Sequence, residues 1–377
     1  MYLTTIILLL FITTISGVEL LLRVHRALNK KKSYYKNIRT EHELLGWIHI
    51  PSLSTEIKGK EWSVKLITNS LGFRDEEHYI EKKNNVIRIL LLGDSFVAAI
   101  RVPYEKTFHQ VMRRELEKSL NANIETINLA VGGWTTANEY LAFKEIGVKY
   151  KPDIVILVIY IHNDIYENSL RLKGGGKWSW PVFEIREGEL ALVPKEVAIN
   201  YRVHKRKGLL KKLFGRFLLF RILYRKILKR GSYPSLFDVY LCEYPEEWLK
   251  AFEITKKLIL KIKELAESIG AYFLVVIAPS PWQVESERWL KVLKEYPSMQ
   301  RKKWCLENPD RVLIDFFKKN KFDYLWLLPY LRHVTNKDKK LYFRTIDHWN
   351  EIGERIVGLI LADKLKSIIL QRINRVR

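Results

Sequence analysis

Cysteine is scarce in this chain, with two among 377 residues, Cys242 and Cys305. They lie far apart and without metal-ligand spacing, which argues against a zinc site and a disulfide framework and leaves both as packing residues. No internal repeat, low-complexity tract or linker divides the chain, and no base-reading motif of a nucleic-acid binder is present. Acidic residues are missing from two stretches. Residues 23–39 carry seven Lys/Arg and residues 202–230 carry twelve, neither with an acid, so nineteen units of the formal +23 charge come from these segments. The remainder is nearly neutral. Two concentrated basic patches beside apolar residues fit an anionic membrane surface and do not fit nucleic acid.

Apolar residues make up 47% of the chain and aromatics 12%, ample for a packed core. Residues 2–22 are almost continuously apolar, interrupted only by threonines, Ser16, Gly17 and Glu19, close to the ~20 residues that cross a bilayer as a helix. There is no basic n-region before this run and no small-x-small cleavage site after it, so a membrane anchor is expected over 1–23 in preference to a cleaved signal. The absence of polar periodicity disfavours a core helix. Residues 24–84, with Gly46, Pro51 and Gly72, read as a basic juxtamembrane and lead-in segment without catalytic groups. By the positive-inside rule, Arg23, Arg26, Lys30, Lys31 and Lys32 would place the rest of the chain in the cytoplasm.

From residue 85 strand-like and helix-like runs alternate. Strands are expected near 86–92, 124–129, 153–160, 271–278 and 322–327, and helices near 105–120, 135–149, 246–269, 309–319 and 350–370. Such alternation predicts an α/β fold: three α/β/α layers around a mostly parallel, flavodoxin-like five-stranded sheet, one domain over 85–370. An insertion over 165–245 is far longer than ordinary connections and should form a helical cap. It contains a hairpin near 183–190 and then a basic amphipathic helix. In that helix Leu210, Leu213, Phe217, Phe220, Tyr224 and Ile227 recur at helical spacing, with Lys212, Arg216, Lys226 and Arg230 on another face. Two readings of the helix stand, a solvated face and contact with a membrane or acidic polymer.

Four short islands carry candidate chemistry. Gly93-Asp94-Ser95 follows the first strand, Gly132-Gly133-Trp134 the second and His162-Asn163-Asp164 the third, while Asp347-His348-Trp349 lies near the C-terminus. A serine hydroxyl is a poor nucleophile until a histidine takes its proton, and a tetrahedral intermediate needs donors fixed on its oxygen. Ser95 is the candidate nucleophile and His348 the candidate base. The backbone N–H groups of Ser95 and Gly133 and the side-chain amide of Asn163 are candidate oxyanion donors, because all three follow strands whose carboxyl ends share the ligand-binding edge of an open α/β sheet.

In these blocks the chain resembles the SGNH hydrolases, the GDSL-like esterases and lipases, over roughly residues 69–360. The resemblance takes in Asn69-Ser-Leu-Gly-Phe-Arg74, similar to a lead-in of membrane-linked members. It implies a serine acyl-ester hydrolase without metal or cofactor, acting on an acylated glycan or a lipid ester. Many anchored relatives work outside the cytoplasmic membrane, against the charge rule, so the side stays open. Two positions depart from the pattern: Thr345 stands where the family has its aspartate, and Ile161 where its third block often has glycine. Asp347, adjacent to the histidine, is then the candidate acid, with a backbone carbonyl as the alternative orienter. Asp94 and Asp164 read as turn-stabilising, His162 as structural, and Trp134, Pro279 and Gln283 as substrate-site residues. Two other functions stand beside hydrolysis. One is acyl transfer to a polysaccharide, for which His348-Trp349 resembles the histidine–tryptophan pair of alginate O-acetyltransferases; the other is a non-catalytic, membrane-bound glycan-binding module.

Overall fold

A computed structural model describes residues 2–28, 37–176, 179–201, 217, 219, 233–335 and 339–376. The expected basic helix over 202–230 therefore falls outside the described residues, save Phe217 and Leu219. The chain forms two compact units. The smaller comprises residues 1–37, 204–234 and 292–302, and the larger comprises 38–203, 235–291 and 303–377.

In the smaller unit the helix Tyr2–Leu28 is long and apolar enough over Thr4–His25 to cross a membrane. Ile6, Ile7, Leu9, Leu10, Leu20 and Leu21 are exposed. The Thr13 and Thr14 hydroxyls are donated to the carbonyls of Leu9 and Leu10, so these interruptions place no unpaired hydroxyl on an apolar surface. Glu19 is paired with Arg23 at 2.7 Å and accepts the Leu219 N–H at 2.7 Å.

The larger unit opens with two hairpins. Strands β1 (Arg39–His42) and β2 (Gly46–His49) pair antiparallel, as do β3 (Ser54–Lys58) and β4 (Ser63–Ile67). Strands β5 (Val86–Gly93), β6 (Asn123–Ala130) and β7 (Ile154–Tyr160) then enter the main sheet. A small hairpin of β8 (Phe183–Arg186) and β9 (Glu189–Leu192) comes next, and β10 (Tyr272–Ala278) and β11 (Asp323–Trp326) complete the sheet. Its order is β11-β10-β7-β5-β6 and every pairing is parallel, as the alternation of runs predicts.

Both faces of β7 are buried throughout, which is why its sequence IVILVIY shows no alternation. The chain runs outward from β5 to β6 and then crosses back to β7, so right-handed crossovers place successive helices on opposite faces. Phe108–Leu120 packs along the closing helix Glu351–Val376, and Thr136–Glu145 packs along Glu246–Ser268. The reversal puts a topological switch between β5 and β7, the pair whose exits carry Ser95 and Asn163.

Arg88, the one charge in β5, is 1% exposed yet satisfied: Nε donates to Glu125 at 2.6 Å and the guanidinium also donates to the carbonyls of Ile80 and Tyr79. Cys242 and Cys305 form a disulfide, which corrects the reading of both as free packing residues. Their 63-residue separation conceals the contact, but the antiparallel bridge between Leu241 and Trp304 brings the Cα atoms to 4.8 Å.

Candidate active site

Strand β5 ends at Gly93 and the chain turns at once into the short helix Ser95–Ala98. Asp94 caps it, accepting the Phe96 N–H at 2.8 Å. Ser95 thus opens the first helical turn, where the ladder does not use its N–H. Asp94 is buried, and that burial raises its carboxyl while the Phe96 N–H and His348 pull it down. This is the turn-stabilising role expected for it, and Asp164 has a parallel one, accepting the Tyr160 N–H at 2.8 Å.

The structure brings Ser95 and His348 together across 253 residues, with Oγ 2.7 Å from Nε2. Oγ also lies 3.2 Å from Asp94 Oδ2. It has one proton to donate, and the imidazole nitrogen is the nearer of the two groups by half an ångström. The His348 ring stacks on Phe96, centroids 4.8 Å apart and planes 17° apart. Its loop is closed by the Phe343 N–H to the His348 carbonyl at 2.9 Å and by the bridge between Tyr342 and Trp349. Trp349 is 1% exposed and packs edge-on against Phe96 and Phe108, so its indole serves the fold.

Asp347 Oδ1 lies 3.0 Å from His348 Nδ1, but off the N–H direction, so the pair is an electrostatic contact and not an aligned hydrogen bond. Adjacent residues cannot easily point carboxylate and ring at each other along one line. The other oxygen accepts the Tyr160 hydroxyl at 2.8 Å. Burial opposes the Asp347 charge, yet His348 and the Tyr160 hydroxyl outweigh it and hold the carboxyl well below its ordinary range. For His348 burial dominates and, with Arg101, lowers the imidazole pKa against the pull of Asp347.

Thr345 has another partner. Its N–H and hydroxyl reach Glu61 Oε2 at 2.8 and 2.6 Å, and the Arg344 N–H reaches Oε1 at 3.0 Å. Glu61, in the turn between β3 and β4, thus clasps the His348 loop. Sequence reasoning passed over it because the lead-in carries no periodic or motif signal.

Asn163 sits at the start of the helix Asp164–Glu167 with Nδ2 3.4 Å from Asp94 Oδ2, so one carboxyl faces both the serine and the amide. Gly133 has φ +78°, a conformation that excludes most side chains. A Cβ on neighbouring Gly132 would stand 3.4 Å from Ser95 Cβ, which places this turn against Ser95. Behind the site Glu139 is fully buried and its carboxyl is raised by that burial; Glu167 is pushed up to about 7 for the same reason.

Three expected substrate-site residues are placed inside the fold. Trp134 is 0% exposed and donates Nε1 to the Trp47 carbonyl at 2.8 Å. Gln283 is 2% exposed, accepting the Ser280 N–H at 2.8 Å and donating to the Leu306 carbonyl at 2.9 Å. Buried Pro279 offers its carbonyl to the Tyr342 hydroxyl at 2.8 Å. This corrects the expectation for Trp134 and Gln283, whose polar groups and surfaces are consumed by packing. His162 is likewise structural: it stacks on Tyr240 and lies 4.3 Å from the Trp282 ring, and burial lowers it to about 4. A cavity of about 480 Å³ in this unit lies elsewhere, between β8, the segments that carry Leu170 and Val197, and the helix Glu246–Ser268.

No family model matches the sequence, and no curated protein matches it. Among solved structures the chain is similar to an acetyl xylan esterase, 13% identical with a TM-score of 0.39, over 75% of this chain and 100% of that one. It is similar to a lipase from a goat rumen metagenome at 13% identity and a TM-score of 0.40, over 73% and 97% of the two chains. A lipase/acylhydrolase from Enterococcus faecalis matches at 12% identity and a TM-score of 0.38, over 74% and 96%. Such distant likenesses carry no weight for substrate or chemistry, which must be argued from the Ser95–His348 geometry.

Proposed function

We propose that this protein is a serine acyl-ester hydrolase, a reading carried by the 2.7 Å approach of Ser95 Oγ to His348 Nε2. Oγ attacks the ester carbonyl carbon as Nε2 takes its proton. The resulting oxyanion is held by the N–H groups of Ser95 and Gly133 and by the Asn163 amide, which exchanges a long 3.4 Å contact with Asp94 for a charged acceptor. Collapse breaks the bond to the alcohol oxygen, which leaves with the proton from the imidazolium. Water then attacks the acyl-serine, His348 takes its proton, and the acid departs with Ser95 restored. Asp347 stabilises the imidazolium through charge. No step calls for a metal or cofactor.

The substrate class is an acyl ester on a glycan or lipid, reached from a membrane surface. The apolar helix Tyr2–Leu28 supports a single-pass anchor. The disulfide supports an oxidising compartment for the catalytic unit, hence the outer side of the cytoplasmic membrane. The basic residues after the helix argue the other way, but charge bias is a statistical preference whereas a disulfide in a reducing cytosol is rare. A fluorophosphonate probe tests the chemistry: folded protein should be labelled at Ser95, and a failure to label would refute the acyl-enzyme.

A further inference from the structure

The hairpin β1–β2 reaches the oxyanion loop. Arg39 pairs with His49 and Glu41 with Trp47, so alternation puts the side chains of Arg39 and Trp47 on one face of the hairpin. That face meets a single atom. Arg39 Nη2 and Trp47 Nε1 both donate to the Gly132 carbonyl oxygen, Trp47 at 3.3 Å. The hairpin is fastened in turn to the chain beyond the glycines: the Trp47 carbonyl accepts Trp134 Nε1 at 2.8 Å and the Leu45 carbonyl accepts Asn138 Nδ2 at 2.9 Å. A Cβ on Gly132 would meet Arg39 Nη2 at 3.0 Å and Ser95 Cβ at 3.4 Å, so guanidinium, loop and nucleophile form one contact layer.

The Gly132 carbonyl and the Gly133 N–H are the two ends of one peptide unit. Across a trans peptide they point in opposite directions, so whatever fixes the oxygen also fixes the N–H. Donors on the oxygen also polarise the unit and make its N–H a stronger donor. We propose that Arg39 and Trp47 are positioning residues for the oxyanion hole: by holding the Gly132 carbonyl they aim and polarise the Gly133 N–H. This rests on the acyl-ester hydrolase reading, and it gives the lead-in a part in catalysis that its sequence does not announce.

The test measures kcat and KM on uncharged p-nitrophenyl acetate for Arg39→Ala, Arg39→Lys, Trp47→Phe and the double variant Arg39→Ala/Trp47→Phe, all in the full-length protein. Misaiming an oxyanion donor should lower kcat about 10- to 100-fold, with KM within about twofold of the parent. Arg39→Lys, which keeps a cationic donor, should recover part of the loss. The double variant should lose little more than the worse single one, because both residues act on one carbonyl. An unchanged kcat in folded Arg39→Ala, a rise in KM alone, or losses that multiply would each overturn the proposal. Fluorophosphonate labelling of the parent separates the two layers. Parent protein that does not label refutes the hydrolase reading, whereas labelled, active parent with indifferent Arg39 variants refutes the positioning role alone.

Discussion

Asp347→Asn is the perturbation that best tests how this site works. The carboxylate lies 3.0 Å from Nδ1 but off its axis, so the substitution removes a charge and not a well-aligned bond. At an effective dielectric of about 20, a unit charge at that distance stabilises an imidazolium by about 5.5 kcal/mol. With half the imidazolium charge developed in the transition state, about 2.7 kcal/mol is lost, or about 100-fold in kcat. An acid acting through tautomer control costs more, about 10⁴-fold in the serine-protease example.

The assay is kcat on a short-chain ester across pH. As the proposed base, His348 must be neutral to accept a proton, so activity should rise with pH through its pKa, which burial lowers from the ordinary imidazole value. Asp347 raises that pKa, and removing its charge should move the acid limb to still lower pH while the plateau falls. A merely loosened loop would lower the plateau without moving the limb. A loss under about threefold, or an unmoved limb, would refute Asp347 as the electrostatic partner, and a loss of about 10⁴ would refute the off-axis account.

Ser95→Ala and His348→Ala should each nearly abolish turnover, since the two act as a unit, and Asn163→Ala should cost about 10² to 10³ in kcat; unchanged kcat in folded Asn163→Ala would remove it from the oxyanion hole. Glu61→Ala should lower kcat about 3- to 10-fold at constant KM by releasing the His348 loop, and full activity would dismiss the clasp. Cys242→Ser should destabilise the larger unit by about 2–4 kcal/mol, read from denaturant midpoints, and Cys242 and Cys305 in intact cells should resist alkylation until a reductant is added. Ready alkylation without reductant would place the unit in the cytoplasm.

The sheet was legible because β5, β7 and β10 are largely apolar runs bounded by helical periodicity, and burial on both faces of β7 left the pattern unmistakable. Ser95, Gly133, Asn163 and His348 were legible as candidates because each follows a strand or lies in a short polar island. Directions were not legible. Trp134 stands next to Gly133, but nothing in its type shows that its indole turns inward to the Trp47 carbonyl. Contacts between distant segments were hidden for the same reason. Arg39 meets Gly132 across 93 residues and Glu61 meets Thr345 across 284, and the two cysteines show no spacing that betrays their bond.

In the proposed mechanism an off-axis acid is tolerable because its two usual duties are divided. An acid in a triad both fixes the ring's orientation and stabilises its positive charge. In the proposed mechanism orientation falls to Phe96, which stacks on the ring and is covalently next to Ser95. The Glu61 clasp and the Tyr342–Trp349 bridge fix the loop from which the ring projects. Asp347 then need only supply charge, which depends weakly on angle, unlike a hydrogen bond. Tyr160 anchors the other carboxylate oxygen from the end of β7 and keeps that charge beside the ring. On this account an aspartate at position 345 would be superfluous for orientation, and Thr345 is free to serve the clasp.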